Sequence, residues 1–380
     1  MDGQAAAAAS GQMQIGMAAP WGVGKTSLVT ALLDEANRML AGTAVSVQAS
    51  GPTQLRLDRL KNEMRGHLRG KEFVPGGISG TQEISDFTLN LKVANTAHSF
   101  ALKIMDYPGG LLESQEGEPW QRLTQWLQAS DVLILPVDAA MIMEAVTPKQ
   151  HSQVESVLNI ASMERLAGTL WAKQRAHSGA AVKNAGMLVL APVKCESYFA
   201  DNGGMLDKAD ELYREVVRRY TPVLEAVWRE AGATEVVYCP IDTLGCVEVV
   251  RVEWDIVGAE RPRTHYRVRG ETRPCPKGGA DLFSHLARRM LAAGRDVQGV
   301  RVQERQDELK VMVDEATRDD GLVLNFWRWL SGRQHALEEQ ARRQGEVLHQ
   351  EFRALQHLEQ TMRQVAEREV GGRVRLIAPW

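Results

Sequence analysis

The strongest chemical signal in the chain lies near its start. Pro20, Trp21, Gly22, Val23, Gly24, Lys25, Thr26 and Ser27 follow a short apolar run and lead into an apolar helical stretch that begins at Leu28. Strand, glycine turn and helix in that order let backbone N–H groups converge on phosphate oxygens, with the positive end of a helix behind them. In such a loop Lys25 reaches the β- and γ-phosphates and the Thr26 hydroxyl takes Mg²⁺. These eight residues are the first candidates for nucleotide binding. The strict pattern has glycine at position 19, where this chain has Ala19.

A second group lies further on. Phe87, Leu89, Leu91 and Val93 alternate with polar residues, which predicts a half-buried strand over 86–94. A second apolar run, 100–105, ends in Asp106-Tyr107-Pro108-Gly109-Gly110, and the two runs are close enough to form an antiparallel hairpin. A carboxylate at the end of a strand beside a phosphate-bound Mg²⁺ is what that metal needs. Without the upstream loop the same residues would read as an ordinary Pro-Gly turn.

The elements that must hold these groups follow from periodicity. Leu28, Leu32, Leu33, Ala36 and Leu40 predict a helix over 26–41, stopped by Gly42, and 44–49 alternates as a strand. Leu57, Leu60, Met64 and Leu68 predict an amphipathic helix over 54–69, packed on the core. Residues 73–81 are too glycine-rich for regular structure. Continuous apolar runs at 130–138 and 186–192 predict buried parallel strands, with mostly helical sequence from 141 to 177 between them. A helix over 208–232, a strand over 234–240, a hairpin within 246–269 and a helix over 281–293 complete the pattern. Strands alternating with helices predict an α/β sheet covered on both faces, with its ligand at the carboxyl ends of the strands.

The phosphate loop, a flexible loop bearing threonine, the hairpin and Asp-x-x-Gly together resemble the Ras-like (TRAFAC) superfamily of P-loop GTPases. The resemblance covers about residues 14–293. It implies a P-loop NTPase fold: a three-layer α/β sheet with one antiparallel hairpin strand. It implies Mg²⁺ held by Thr26, Asp106 and a threonine of the flexible loop, for which Thr81 is the first choice and Ser79 the second. It implies that the Gly109 N–H meets the γ-phosphate, so that Lys25, Thr81 and Gly109 form the catalytic set. It also implies a guanine-reading motif after the 186–192 strand. Lys194 fits the family's lysine, whose stem packs over the base. Glu196 stands where the family has aspartate, and Val193 replaces Asn/Thr. The family often carries a water-orienting glutamine after Asp-x-x-Gly; here that place is Gly110, with Glu113, Gln115 and Glu116 nearby. Trp21 stands where a small residue is usual. These two departures lead to the expectation of a GTP-binding switch with slow hydrolysis, dependent on a protein partner or on homo-oligomerisation. A nucleotide-binding scaffold without useful hydrolysis and an ATPase are the alternatives.

The 380 residues carry a formal net charge of −3, so no nucleic-acid footprint is expected. No apolar run is long enough to span a bilayer. Four cysteines without a C-x-x-C pair read as thiols of a reducing compartment, which predicts a cytoplasmic protein without a zinc site. The expected layout is a disordered leader at 1–12, a GTPase-like domain at 13–295 with insertions at about 50–80 and 246–275, and an α-helical extension at 296–380. The extension reads as a helical hairpin or as a partner-binding helix. Its apolar stretch 322–330 reads as core, interface or membrane-surface anchor. Composition and insertions suggest a bacterial member of a multi-component system.

Overall fold

The computed structural model describes residues 11–70, 72–74, 84–94, 96, 99–177, 186–202, 207–254, 262–270, 272–291, 356–368 and 371–379. Thr81, Ser79, the 322–330 stretch and most of the predicted tail helices lie outside these residues.

The core is an eight-stranded sheet. Its strands are β1 (Gly11–Met17), β2 (Val45–Ala49), β4 (Ser85–Val93), β5 (Ser99–Asp106), β6 (Val132–Asp138), β7 (Met187–Val193), β8 (Glu235–Tyr238) and β11 (Arg375–Ile377). The order is β11-β8-β7-β6-β1-β5-β4-β2. β5, β1, β6, β7 and β8 run parallel. β4 is antiparallel to β5, pairing Ser85 with Asp106 and Lys92 with Ser99, as the hairpin reading requires. Every side chain of β6 and β7 is buried, which explains why both are apolar throughout rather than alternating.

Helices cover both faces. On one face α1 (Lys25–Leu40) packs with Leu282, Phe283 and Leu286 of α10 (279–291). On the other, Leu123 and Leu127 of α4 (Gly117–Ala129) join Val216, Tyr220 and Val223 of α9 (Ala209–Glu230). Between β6 and β7 the chain passes through α5 (Ala139–Met143), α6 (Pro148–Leu158) and α7 (Ile160–Glu164). It continues through a π-helical segment (Arg165–Ala172) into α8 (Lys173–His177). A short α3 (Leu111–Ser114) follows β5.

The two segments expected to be insertions meet. β3 (Glu72–Phe73) pairs with β10 (Arg263–Val268), which pairs with β9 (Val247–Glu253). Leu60, Met64 and Leu68 of α2 (Gly51–Leu68) pack on this small sheet through Val247 and Tyr266.

The end of the chain returns to the sheet. Leu358, Met362 and Val365 of α11 (356–367) are buried in the α1-side core, and Arg288 donates to Ala366 O at 2.8 Å. β11 then adds an antiparallel strand to β8, so a segment expected to be helical closes one edge of the sheet.

Candidate functional site

Ala18 N–H still donates to Ile134 O, extending the β1 ladder by one residue before the chain turns. Gly22 and Gly24 then adopt φ of 78° and 114°. Side chains rarely tolerate that region, so these two glycines are required by the backbone. Ala19 has no positive φ, which is why alanine serves there. Gly24 is the N-cap of α1 and supplies no side-chain cap, so the first-turn N–H groups face the loop.

Lys25 opens α1 and is only 7% exposed. Its Nζ donates to Ala19 O at 3.0 Å and lies 4.7 Å from the Tyr107 ring centroid. The Tyr107 hydroxyl in turn accepts from Ala19 N–H at 3.1 Å. Burial pushes that phenol well above its ordinary pKa, so it remains a neutral support for the loop. Tyr107 occupies a variable place in Asp-x-x-Gly, and nothing in its spacing pointed to this role.

Asp106, at the carboxyl end of β5, is fully buried. Its Oδ2 accepts from the Thr26 hydroxyl at 3.2 Å and from Arg56 at 2.7 Å. Gly109 backs onto the phosphate loop so closely that a Cβ there would collide with the backbone N and Cα of Trp21. Trp21 itself is half exposed. Gln115 is committed elsewhere: its amide donates to Leu112 O at 2.8 Å and accepts from Arg165.

Lys194, with φ of 59°, crosses to the phosphate loop and donates to Gly22 O at 2.8 Å. It also pairs with Asp138 at 2.5 Å. Asp138 is almost wholly buried and accepts from Met141 N–H, capping α5. In the sequence Asp138 marks only the end of an apolar run. Glu196 is 1% exposed and turned inward, where Oε1 accepts from Leu244 N–H at 3.0 Å and Gly245 N–H at 3.4 Å. Its Oε2 is buried without a partner among the described residues. Burial, with Asp242 nearby, raises its carboxyl to about 7.

The fold therefore gathers Lys25, Thr26, Asp106, Gly109, Trp21 and Lys194 at the carboxyl ends of β1, β5 and β7. Glu196 is held beside them against the loop that follows β8. A mostly parallel sheet with this strand order, and a glycine-containing phosphate loop joining its central strand to a helix, is the P-loop NTPase fold.

No protein-family model matches the chain, and no curated protein does. Among solved structures it is similar to the Ski7 GTPase-like domain of S. cerevisiae bound to GTP, at 12% identity and a TM-score of 0.32. It is likewise similar to that domain bound to GDP and inorganic phosphate, at 14% identity and a TM-score of 0.30. Each match covers 60% of this chain and 43% of the solved one, so the chain spans less than half the length of those it resembles. At these scores the likeness adds nothing to what the strand order establishes.

Proposed function

We propose that this protein binds GTP with Mg²⁺, hydrolyses it slowly and acts as a switch on a protein partner. The observation that carries the reading is the meeting of Thr26 and Asp106 at 3.2 Å beside Lys25 and the two left-handed glycines. Residues 20–27 cradle the phosphates. Thr26 and Asp106 hold the metal, with Thr81, which lies outside the described residues, as the proposed third donor. A hydroxyl and a buried carboxylate are hard oxygen donors of the kind Mg²⁺ takes; Arg56 now pairs with that carboxylate and gives way to the metal. Bound Mg²⁺ neutralises the charge of the β- and γ-phosphates. Gly109 presents its N–H to the γ-phosphate. Lys194 lies under the base, and Glu196 turns outward to accept from guanine through Oε2, which is buried without a partner among the described residues.

Glu196 also favours a second reading. Both of its hydrogen bonds point inward, and a base-reading carboxylate that stays buried would leave ATP as acceptable as GTP. Gly110 and the committed Gln115 favour slow hydrolysis or none.

Turnover of GTP by the full chain, with and without Lys25→Ala, tests the enzymatic part. Slow turnover abolished by the substitution is expected. Turnover unaffected by it, or fast hydrolysis by the isolated protein, would refute the proposal.

A further inference from the structure

α2 lies in an insertion, yet it delivers a guanidinium to the Asp106 carboxylate. Arg56 donates to Asp106 Oδ2 at 2.7 Å, on the oxygen that also accepts from Thr26. Its position is set by the start of α2. Thr53, buried one turn earlier, accepts from Thr88 N–H at 3.0 Å, and Ser50 N–H donates to Thr88 O at 2.9 Å. These bonds fasten α2 to β4 beside the end of β5. The guanidinium also lies 4.9 Å from the Phe87 ring centroid. Its side chain is 29% exposed while Asp106 is fully buried, so the arginine comes from the solvent side of the site.

The geometry points to Arg56 as a catalytic arginine supplied by the chain itself, moving from Asp106 to the γ-phosphate when GTP is bound. This rests on the GTP-binding reading above. Once Asp106 is committed to the metal site, Arg56 loses much of its carboxylate partner. The γ-phosphate is an anion of the same site, and a planar guanidinium suits it. In hydrolysis the oxygen of water bonds to Pγ and the bond from Pγ to the β–γ bridging oxygen breaks. That electron pair leaves with GDP, and the proton of water ends on the released phosphate. Arg56 exchanges no proton; it donates hydrogen bonds to oxygens whose charge grows in the transition state.

Single-turnover hydrolysis and the binding of GDP with aluminium fluoride, measured on full-length wild type, R56A and R56K, test the assignment. R56A is expected to bind GTP and GDP within about threefold of wild type, to hydrolyse GTP at least ~10²-fold more slowly and to lose the GDP–aluminium fluoride complex. R56K is expected to restore little, because an ammonium cannot replace the bidentate fork. R56A that hydrolyses at the wild-type rate or keeps the complex overturns the proposal. So does wild type that binds GTP but forms no such complex. Parallel loss of GDP binding in R56A would assign Arg56 to holding the site together and would overturn it too. Failure of the underlying reading looks different: wild type itself then binds neither GTP nor GDP.

Discussion

Gly109 and Trp21 are in backbone contact across the two loops of the site, and no side chain fits between them. The Asp106 loop and the loop at residues 20–24 are therefore packed backbone to backbone. Gly109→Ala is expected to push them apart and to destabilise the protein by about 1–3 kcal/mol, the usual cost of overpacking. Thermal melting checks this. Trp21→Ala should not rescue it, because the colliding N and Cα atoms remain.

Tyr107 and Lys25 make the second such link. Tyr107→Phe keeps the ring beneath the lysine but leaves the Ala19 N–H without its acceptor. An orphaned buried donor costs about 1–3 kcal/mol. The melting temperature should fall and nucleotide affinity should weaken several-fold; Tyr107→Leu, which removes the ring as well, should do more. Calorimetric titration of the two variants separates the effects.

If Glu196 reads the base as proposed, nucleotide binding should depend on pH. Its carboxyl titrates near 7, raised chiefly by burial. Only the ionised form accepts from both guanine donors, so GTP affinity should rise from pH 6 to pH 8 by up to about tenfold. Affinity for ATP should stay flat, and Glu196→Gln should remove the GTP slope. The same shift acts on folding with the opposite sign. A carboxyl whose pKa is higher folded than unfolded stabilises the fold below its unfolded value of 4.5, and that contribution is lost as pH rises to about 7.

Arg373, just before β11, binds the loop that follows β8. It donates to the fully buried Asp242 at 2.6 Å, pairs with Asp201 and lies 4.0 Å from the Phe199 ring centroid. Arg373→Ala strands Asp242 and should cost about 3–5 kcal/mol, toward the lower end because Asn202 and Cys195 still donate to it. Denaturant unfolding measures the loss. The variant should also bind nucleotide more weakly, since Asp242 opens the segment that positions Leu244 and Gly245 against Glu196.

Much of this architecture is legible in the sequence, for physical reasons. The apolar runs of β6 and β7 report burial on both faces, and the alternation of β4 reports one covered face. Gly22 and Gly24 announce backbone that few other residues adopt. The long-range features carry no local signal. Arg56 shares the polar face of α2 with Arg59 and Arg65, and nothing in that spacing says which one reaches a carboxylate 50 residues away. The segments around 72–73 and 247–268 form one sheet through a pairing of Phe73 with Tyr266 that only the folded chain displays. β11 is three residues long, too short for a period to emerge, and lies next to a helix-favouring tail. Glu196 is legible as a carboxylate two residues after Lys194, but its inward turn depends on the backbone of the loop after β8.

We propose that residues 20–27, Asp106 and Lys194 hold GTP. Competition binding tests it most directly: labelled GTP with Mg²⁺ is bound to the full chain, then displaced by unlabelled GTP or ATP, with Lys25→Ala alongside. Displacement by GTP at concentrations where ATP leaves the label in place, with binding at least about tenfold weaker in Lys25→Ala, is the expected result. Absence of binding by wild type, or equal displacement by the two nucleotides, would contradict it.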